Sequence, residues 1–251
     1  MLKRIWNWIQ TFSSPKHFYP MAGRLIPWFA VSAAILTVWG LYLGLFVAPP
    51  DYQQGESYRI IYIHVPAAWM SLFVYVVMAV SAAIGMIWQI RLADMVAAAS
   101  APIGAAFTFI ALVTGALWGK PMWGAYWVWD ARLTSELILL FLYFGYMALQ
   151  SAIEEQRTAD KASGLLAIVG VVNIPIIHYS VEWWNTLHQG ATVTKFDAPS
   201  IDTRMLIPLL MMALAFKLFY AALVLVRTRN EVLYRDRNRR WVREFIKNLG
   251  T

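Results

Sequence analysis

The stretch "IHVPAAWMSLFVYVVMAVSAAIGMIW", residues 63–88, contains no Asp, Glu, Lys or Arg. A bilayer core of roughly 30 Å is crossed by about 20 helical residues, so this stretch is long enough to span one. Hydrocarbon offers no hydrogen-bond partners, and each backbone N–H and C=O must therefore find its partner within the segment. Residues 63–88 predict a transmembrane α-helix.

Outward from this stretch, the chain has five further apolar runs of the same kind. Of its 251 residues 60% are hydrophobic and only 14% are charged, and the mean hydropathy is +0.53, as in multi-span membrane proteins. We therefore expect an all-α membrane protein, a single membrane domain over residues 1–251 without internal repeats. The other five predicted spans are 25–48, 95–117, 133–149, 163–181 and 205–226. Of these, 133–149 and 163–181 are short and need extension by a turn.

Lys and Arg are distributed unequally between the two sets of connecting segments. Fifteen belong to the two terminal segments and to the loops after the second and fourth spans. The positive-inside rule then predicts six transmembrane helices with both termini in the cytoplasm: a cytoplasmic N-terminal segment, 1–24, and a basic cytoplasmic tail, 227–251. The N-terminal segment does not have the pattern of a cleavable signal. The opposite side holds five basic residues: Arg59, Lys120, Arg132, Lys195 and Arg204.

The charge and the cysteine count restrict the function classes. The net charge of +7 comes mostly from the basic tail, which favours a topology signal and contact with anionic lipid over nucleic-acid binding. The chain has no Cys, which excludes disulfides, iron–sulfur ligation, thiolate zinc sites and covalent c-type haem attachment.

Three segments are predicted to face the outer compartment: 49–62, 118–132 and 182–204. The middle one, "WGKPMWGAYWVWDAR", places four tryptophans close together. An interfacial aromatic belt remains an alternative, although a belt needs only one or two rings at each helix end. If part of the segment is helical, Trp123, Trp127 and Asp130 share one stripe with Tyr126 beside it. We expect a broad aromatic shelf with a carboxylate at its edge.

Two of the four histidines are predicted to face the same compartment as this shelf. His64 lies in "RIIYIHVPAAW" and His188 in "EWWNTLHQG", each among aromatic residues. Each alone is as consistent with a structural role, but together they could approach one ligand from two sides. We expect His17 to be solvated, and His178, in the fifth span, to be a hydrogen-bonded core residue.

Haem satisfies both features better than a bare metal ion. Zinc or copper needs three or four donors and gains nothing from an aromatic shelf. Haem takes two axial nitrogens on opposite faces of a flat apolar disc and carries two carboxylates. Arg59 and Arg132 are candidates for those carboxylates. Interfacial snorkelling, or pairing of Arg132 with Asp130 or Glu136, remains open as the alternative.

The pattern W-G-x-x-x-W-G-x-x-W-x-W-D resembles the WWD signature of the haem-handling proteins of cytochrome c maturation. In length, number of spans and flanking histidines the chain is most similar to the cytochrome c maturation protein C (CcmC) family. The resemblance covers essentially the whole chain. It implies a periplasmic platform for transiently and non-covalently bound haem b, with His64 and His188 as the axial iron ligands. The platform residues that it implies are Trp118, Gly119, Trp123, Gly124, Trp127, Trp129 and Asp130.

The resemblance also implies a place in the bacterial inner membrane and a set of partners. These are a membrane-anchored periplasmic haem chaperone (CcmE-like) that receives the haem, ABC-type ATPase and membrane subunits (CcmA- and CcmB-like), and a small single-span subunit (CcmD-like). The chain itself is expected to be a haem-binding and transfer protein and no enzyme. It should not hydrolyse ATP, because "GALWGKP" at 115–121 fails the phosphate-loop spacing and has Pro121 in place of Ser or Thr.

Two rival functions remain open. One is a transmembrane transporter of haem or another solute, for which Lys217 is the one obvious charge well inside a span; snorkelling to the cytoplasm explains it as well. The other is a b-type haem electron-transfer subunit. That class buries paired histidines on facing helices, whereas here His178 alone is predicted inside a span.

Overall fold

The computed structural model describes residues 13–184, 186–188, 190, 193 and 198–249, and in this part of the chain all regular structure is helical. A π-helical turn, Leu43–Val47, extends the first helix, and a 3-10 turn, Glu56–Ile60, precedes the second. The helices, numbered in chain order, are α1 (Pro15–Tyr42), α2 (Ile61–Trp88), α3 (Arg91–Trp123), α4 (Ala131–Ala152), α5 (Gln156–Gly170), α6 (Asn173–Trp183), α7 (Thr203–Arg235) and α8 (Arg240–Leu249).

The six predicted membrane spans are confirmed. In the part of the chain that the structure describes, six helical segments are long and apolar enough to cross a bilayer, and α5 and α6 together form the fifth. The short fourth run is extended at both ends, to Ala131–Ala152. Helix α1 begins at Pro15, a residue suited to the first helical turn, and α3 continues to Trp123, beyond the apolar runs that predicted them. Hydropathy identifies only the apolar part of a helix, and both helices extend beyond that part.

Helices α2 and α3 form the centre of the bundle. They are joined by two residues and pack along each other; α4 and α5 cover one side, and α7 pairs with α1 on the other. Glycines allow close approach at two contacts in the core. A Cβ on Gly104 would lie 2.1 Å from the Tyr143 ring, and one on Gly170 would lie 2.0 Å from the Tyr75 hydroxyl. These contacts pack α4 and α5 closely against the α2–α3 pair.

The fifth span is interrupted between α5 and α6, at Val171 and Val172. The buried side chain of Asn173 begins α6 and donates a hydrogen bond from Nδ2 to the Ser135 carbonyl of α4, at 2.8 Å. A buried amide needs such a partner, so this bond fixes the break against α4. It also directs α6 towards the segments that follow α3.

The two ends of the bundle differ in character. We call the end with segments 49–60 and 124–130 and the described residues of 184–202 the tryptophan end, and the opposite one the basic end. At the basic end, ion pairs join α3 and α5 to the end of α7 and the residue that follows it: Arg91 to Asp236 at 2.8 Å, and Asp160 to Arg235 at 3.0 Å. The ring of Tyr19 packs there on Phe245 of α8.

Candidate functional site

A cavity of about 760 Å³ opens at the tryptophan end, between α2, α3, α4, α6 and α7. Its volume is within the range of roughly 300–1,000 Å³ that is usual for small-molecule and cofactor sites. Its wall brings together six of the residues that the sequence singled out, from four separate parts of the chain: His64, Trp118, Gly119, Trp123, Arg132 and His188.

His64 lies in the first turn of α2 and is held against α3. Its Nδ1 is 3.0 Å from the Thr114 hydroxyl, and its ring meets the Trp118 indole edge-on, with 5.5 Å between centroids. A Cβ on Gly115 would lie 3.0 Å from the imidazole Cε1, so the ring packs directly on the α3 backbone. The hydroxyl of Thr114 contacts Nδ1, and the Ala111 carbonyl, one turn earlier on α3, also interacts with the ring.

His188 has a different set of neighbours. Its Nδ1 is 3.0 Å from Oδ2 of Asp130, whose side chain is only 8% exposed. The Trp123 indole packs on the imidazole at 4.8 Å between centroids. Burial lowers the pKa of His188 below its ordinary value, and the Asp130 carboxylate opposes this shift. Burial therefore favours the neutral ring, the form that can donate a lone pair to a metal.

The segment 118–132 is divided at Gly124. Residues up to Trp123 belong to α3, and Gly124 ends the helix in a left-handed conformation, φ +76°, that suits glycine. A Cβ on Gly119 would lie 3.0 Å from the Trp123 ring and 3.1 Å from the Ala125 carbonyl, so Gly119 lets the chain fold back on itself. The indole N–H of Trp118 donates to Gln54 Oε1 at 2.9 Å.

The predicted stripe of Trp123, Trp127 and Asp130 is wrong. It required a helix across all three positions, and the helix ends at Trp123. Trp127 instead packs against the bundle core, whereas Trp129 is 77% exposed. Asp130 caps α4, accepting from the Leu133 N–H at 2.8 Å, while its second oxygen faces His188. The left-handed residue at Gly124 breaks the periodicity on which the prediction depended.

Arg132 and Arg59, the two arginines predicted to meet the haem carboxylates, lie in different environments. Arg132 lines the cavity and donates from Nη1 to the Ile177 carbonyl of α6 at 3.2 Å. No direct ion pair joins Arg132 to Asp130 or Glu136, although both carboxylates interact with it electrostatically. The hydrogen bonds of Asp130 go to His188 and the α4 cap, and that of Glu136 goes to Ser71 at 2.7 Å.

Arg59 lies away from the cavity wall. Its guanidinium is paired with Glu56 and donates to the Gly44 carbonyl at 2.6 Å, next to the π-helical turn. Lys195, one of the five basic residues predicted on this side, lies outside the described residues. Of the two arginines predicted to meet the haem carboxylates, Arg132 is the one that lines the cavity with the histidines.

Several residues of the cavity had no signal, or a misleading one, in the sequence. His178, expected to be a hydrogen-bonded core residue, is instead exposed on the cavity wall and touches Tyr179 edge-on. The expectation failed because α6 begins only at Asn173 and presents His178 to the cavity mouth. Glu136 was named only as a possible partner of Arg132, and its contact with Ser71 was not expected. Thr114, which contacts His64 without lining the cavity, had no signal, because a Thr in a span has no spacing that identifies its partner.

The family model described as "CcmC: Heme exporter protein C" matches residues 8–243 of the chain. The chain belongs to this family. Heme exporter protein C of Escherichia coli (strain K12) is 52% identical over 246 residues, 98% of this chain and 99% of the relative. The relatives of the same name in Haemophilus influenzae and Bradyrhizobium diazoefficiens are each 51% identical, over 98% and 89% of this chain respectively. CcmC membership agrees with the predicted resemblance over the whole length.

Proposed function

We propose that this CcmC-family chain is a haem-handling protein of cytochrome c maturation. It binds haem at its tryptophan end and passes it on to another protein, and it catalyses no reaction of its own. The observation that carries the proposal is the pair of imidazoles, His64 and His188, on the wall of one cavity with tryptophans beside them. The haem is the cargo, and it cannot be held by c-type covalent attachment because the chain has no Cys.

The two histidines are suited to axial ligation of one iron. Each has its Nδ1 within hydrogen-bond distance of an oxygen, Thr114 Oγ1 for His64 and Asp130 Oδ2 for His188. Such a contact at the far nitrogen is the usual support of a metal-binding histidine, because it orients the ring and raises the basicity of the ligating nitrogen. Two imidazoles would complete the coordination of the iron and leave no position for oxygen, which suits carriage.

The surroundings fit a porphyrin better than a bare ion. Trp118 and Trp123 line the cavity and each packs edge-on against one of the two histidines. Large aromatic surfaces pack well on a flat apolar ring system. Among the described residues, no group of three or more His, Cys, Asp and Glu side chains has the geometry of a metal site. We therefore assign Trp118, Gly119 and Trp123 to direct contact with the porphyrin.

The other platform residues support the site from outside the cavity. Gly124 turns the chain after α3, and Trp127 packs the irregular stretch that follows against the core. Asp130 contacts Nδ1 of His188. Arg132 is the cation best placed for a propionate. Arg59 would have to leave Glu56 to take part.

The exposed tryptophans at this end of the bundle indicate where haem is delivered. Trp129 and Trp183 expose 77% and 56% of their surface at the tryptophan end. We infer that a membrane-anchored haem chaperone docks on this aromatic surface, with the tryptophan end in the periplasm, both termini in the cytoplasm and the protein in the bacterial inner membrane. The ABC-type ATPase and membrane subunits and a small single-span subunit complete the assembly. The aromatic surface supports chaperone docking; the other partners rest on the family resemblance.

The proposal is tested by the absorption spectrum of protein purified from haem-replete cells. We expect a six-coordinate low-spin haem. His64→Gly and His188→Gly should each convert it to a form with an open axial position, and added imidazole should restore the low-spin spectrum. His17→Gly, an exposed histidine at the basic end, is the matched control and should change nothing.

A spectrum that is unchanged in both cavity variants would show that other residues ligate the iron. Protein free of haem under every condition, although folded, would contradict the haem-handling function itself.

A further inference from the structure

We propose that Thr114 is a positioning residue that fixes the tautomer of His64, and that His64 is the axial ligand that leaves the iron first when haem is handed on. The inference rests on the proposed haem binding, but its first part concerns the protein without haem. The hydrogen bonds of the Thr114 hydroxyl determine which tautomer His64 adopts.

The Thr114 hydroxyl has one proton and three oxygen or nitrogen neighbours. Its Oγ1 is 2.6 Å from the Ile110 carbonyl, 3.3 Å from the Ala111 carbonyl and 3.0 Å from His64 Nδ1. A carbonyl oxygen can only accept, and the contact to Ile110 is the shortest, so the hydroxyl proton is donated there. Thr114 is then left as an acceptor, and His64 Nδ1 must carry the proton between them.

The proton on Nδ1 determines what Nε2 can do. A neutral imidazole has one N–H, so Nε2 keeps its lone pair free for a metal. The opposite tautomer would require Thr114 to turn its proton away from Ile110. Gly115 and Trp118 hold the ring in place, since one gives it room on the α3 backbone and the other meets it edge-on. Thr114, Gly115 and Trp118, all on α3, therefore fix the tautomer and the orientation with which His64 can bind a metal.

His188 is prepared by a stronger acceptor. Its Nδ1 faces a carboxylate oxygen of Asp130, at the same 3.0 Å distance that separates His64 from a neutral hydroxyl. A carboxylate draws the Nδ1 proton more strongly and so makes Nε2 the better electron donor. The bond from the iron to His188 is therefore the stronger one.

The difference sets an order for the transfer. The Fe–Nε2 bond of His64 breaks first, with its electron pair returning to the imidazole, and the oxidation state of the iron does not change. A donor side chain of the receiving protein, or water, supplies the electron pair for the vacant position. His188, backed by Asp130, holds the haem until that new bond is formed.

The tautomer is tested on haem-free protein in lipid nanodiscs, by ¹⁵N NMR of labelled histidines assigned with His64→Gly and His188→Gly. We expect Nδ1–H on both rings. Thr114→Val should shift His64 towards a mixture of tautomers and leave His188 unchanged, and Thr114→Ser should behave as the parent protein. An Nε2–H tautomer at His64 in the parent protein, or no effect of Thr114→Val, would overturn the role of Thr114.

The order of release is tested with haem-loaded single-histidine variants and apomyoglobin as haem acceptor. His188→Gly, which retains only His64, should lose haem about tenfold faster than His64→Gly, the low end of the effect of second partners on metal affinity. Equal rates, or faster loss from His64→Gly, would overturn the order. If neither variant nor the parent binds haem, the proposed function fails, while the tautomer result stands by itself.

Discussion

The two halves of the tryptophan-rich segment have opposite relations to the cavity. Residues 118–123 complete α3, and Trp118, Gly119 and Trp123 lie on the cavity wall. Residues 124–130 are not helical and contribute nothing to that wall. In the second half Trp127 packs into the bundle, Trp129 is exposed and Asp130 supports His188. Four tryptophans that form one pattern in the sequence therefore have three different environments.

The two halves therefore have different roles, haem binding in the first and structural support of the site in the second. Residues of the first half touch the space that we assign to haem, and those of the second half hold the chain and one histidine in place. Substitutions in the first half should change haem affinity directly. Substitutions in the second half should act through His188, through stability or through a docking partner.

The largest effect is expected from Asp130→Asn in the second half. Asparagine can still cap α4 through its amide oxygen, so thermal stability should stay nearly unchanged. It cannot offer His188 a second acceptor oxygen, and haem affinity should fall roughly 10- to 100-fold. Haem titration and thermal unfolding of the same sample measure the two effects. Asp130→Ala is the comparison, since it should also cost about 1 kcal/mol through loss of the cap. Unaltered haem affinity in Asp130→Asn would separate Asp130 from the iron site.

A smaller loss is expected from Trp123→Leu in the first half. The indole packs on His188 at 4.8 Å and lines the cavity. Aromatic contacts of this kind contribute about 0.5–1.5 kcal/mol, which corresponds to roughly two- to tenfold in haem affinity. The measurement is the haem dissociation constant, with Trp28→Leu, an exposed tryptophan on α1, as the control. Equal affinities of the two variants would exclude Trp123 from the platform.

Trp127→Phe should change stability and leave haem affinity within about twofold. The indole N–H of Trp127 is buried and finds no hydrogen-bond partner among the described residues. An unpaired buried donor costs about 1–3 kcal/mol, so phenylalanine should be tolerated or stabilising. Trp127→Ala, which leaves a cavity in the packing, should destabilise by about 3 kcal/mol. Denaturation in mixed micelles checks both variants, and a strong loss of haem from Trp127→Phe would place this ring at the haem.

The smallest effect on the isolated protein is expected from Trp129→Ala. With 77% of its surface exposed, the ring contributes within about 0.5 kcal/mol to stability, and haem affinity should not change. The variant should reduce only the yield of the complex with the haem chaperone, measured by co-purification. A normal yield would remove Trp129 from the docking surface.

The sequence predicts the bundle and the grouping of the histidines well. Uninterrupted apolar stretches identify the six spans because a membrane admits few other structures. His64 and His188 were placed on one side by the alternation of spans and connecting segments, and both line one cavity. Such inferences need only the order of segments along the chain.

Contacts that depend on side-chain direction were not predictable in this way. The turn at Gly124 decides where Trp127 and Asp130 point, and no periodicity indicates it. Thr114 meets His64 because α2 and α3 pack in one particular register, and Arg59 is drawn to the Gly44 carbonyl by the π-helical turn. Tertiary packing sets these partners, and residue type alone does not show them.

The central claim is that His64 and His188 bind the same iron. It is tested most directly by electron–nuclear double resonance of the ferric haem-loaded protein, with histidine labelled by ¹⁵N and haem left at natural abundance. The account predicts two strongly coupled ¹⁵N nuclei, of which His64→Gly and His188→Gly each remove one. A single coupled histidine in the parent protein, or two that survive either substitution, would contradict it.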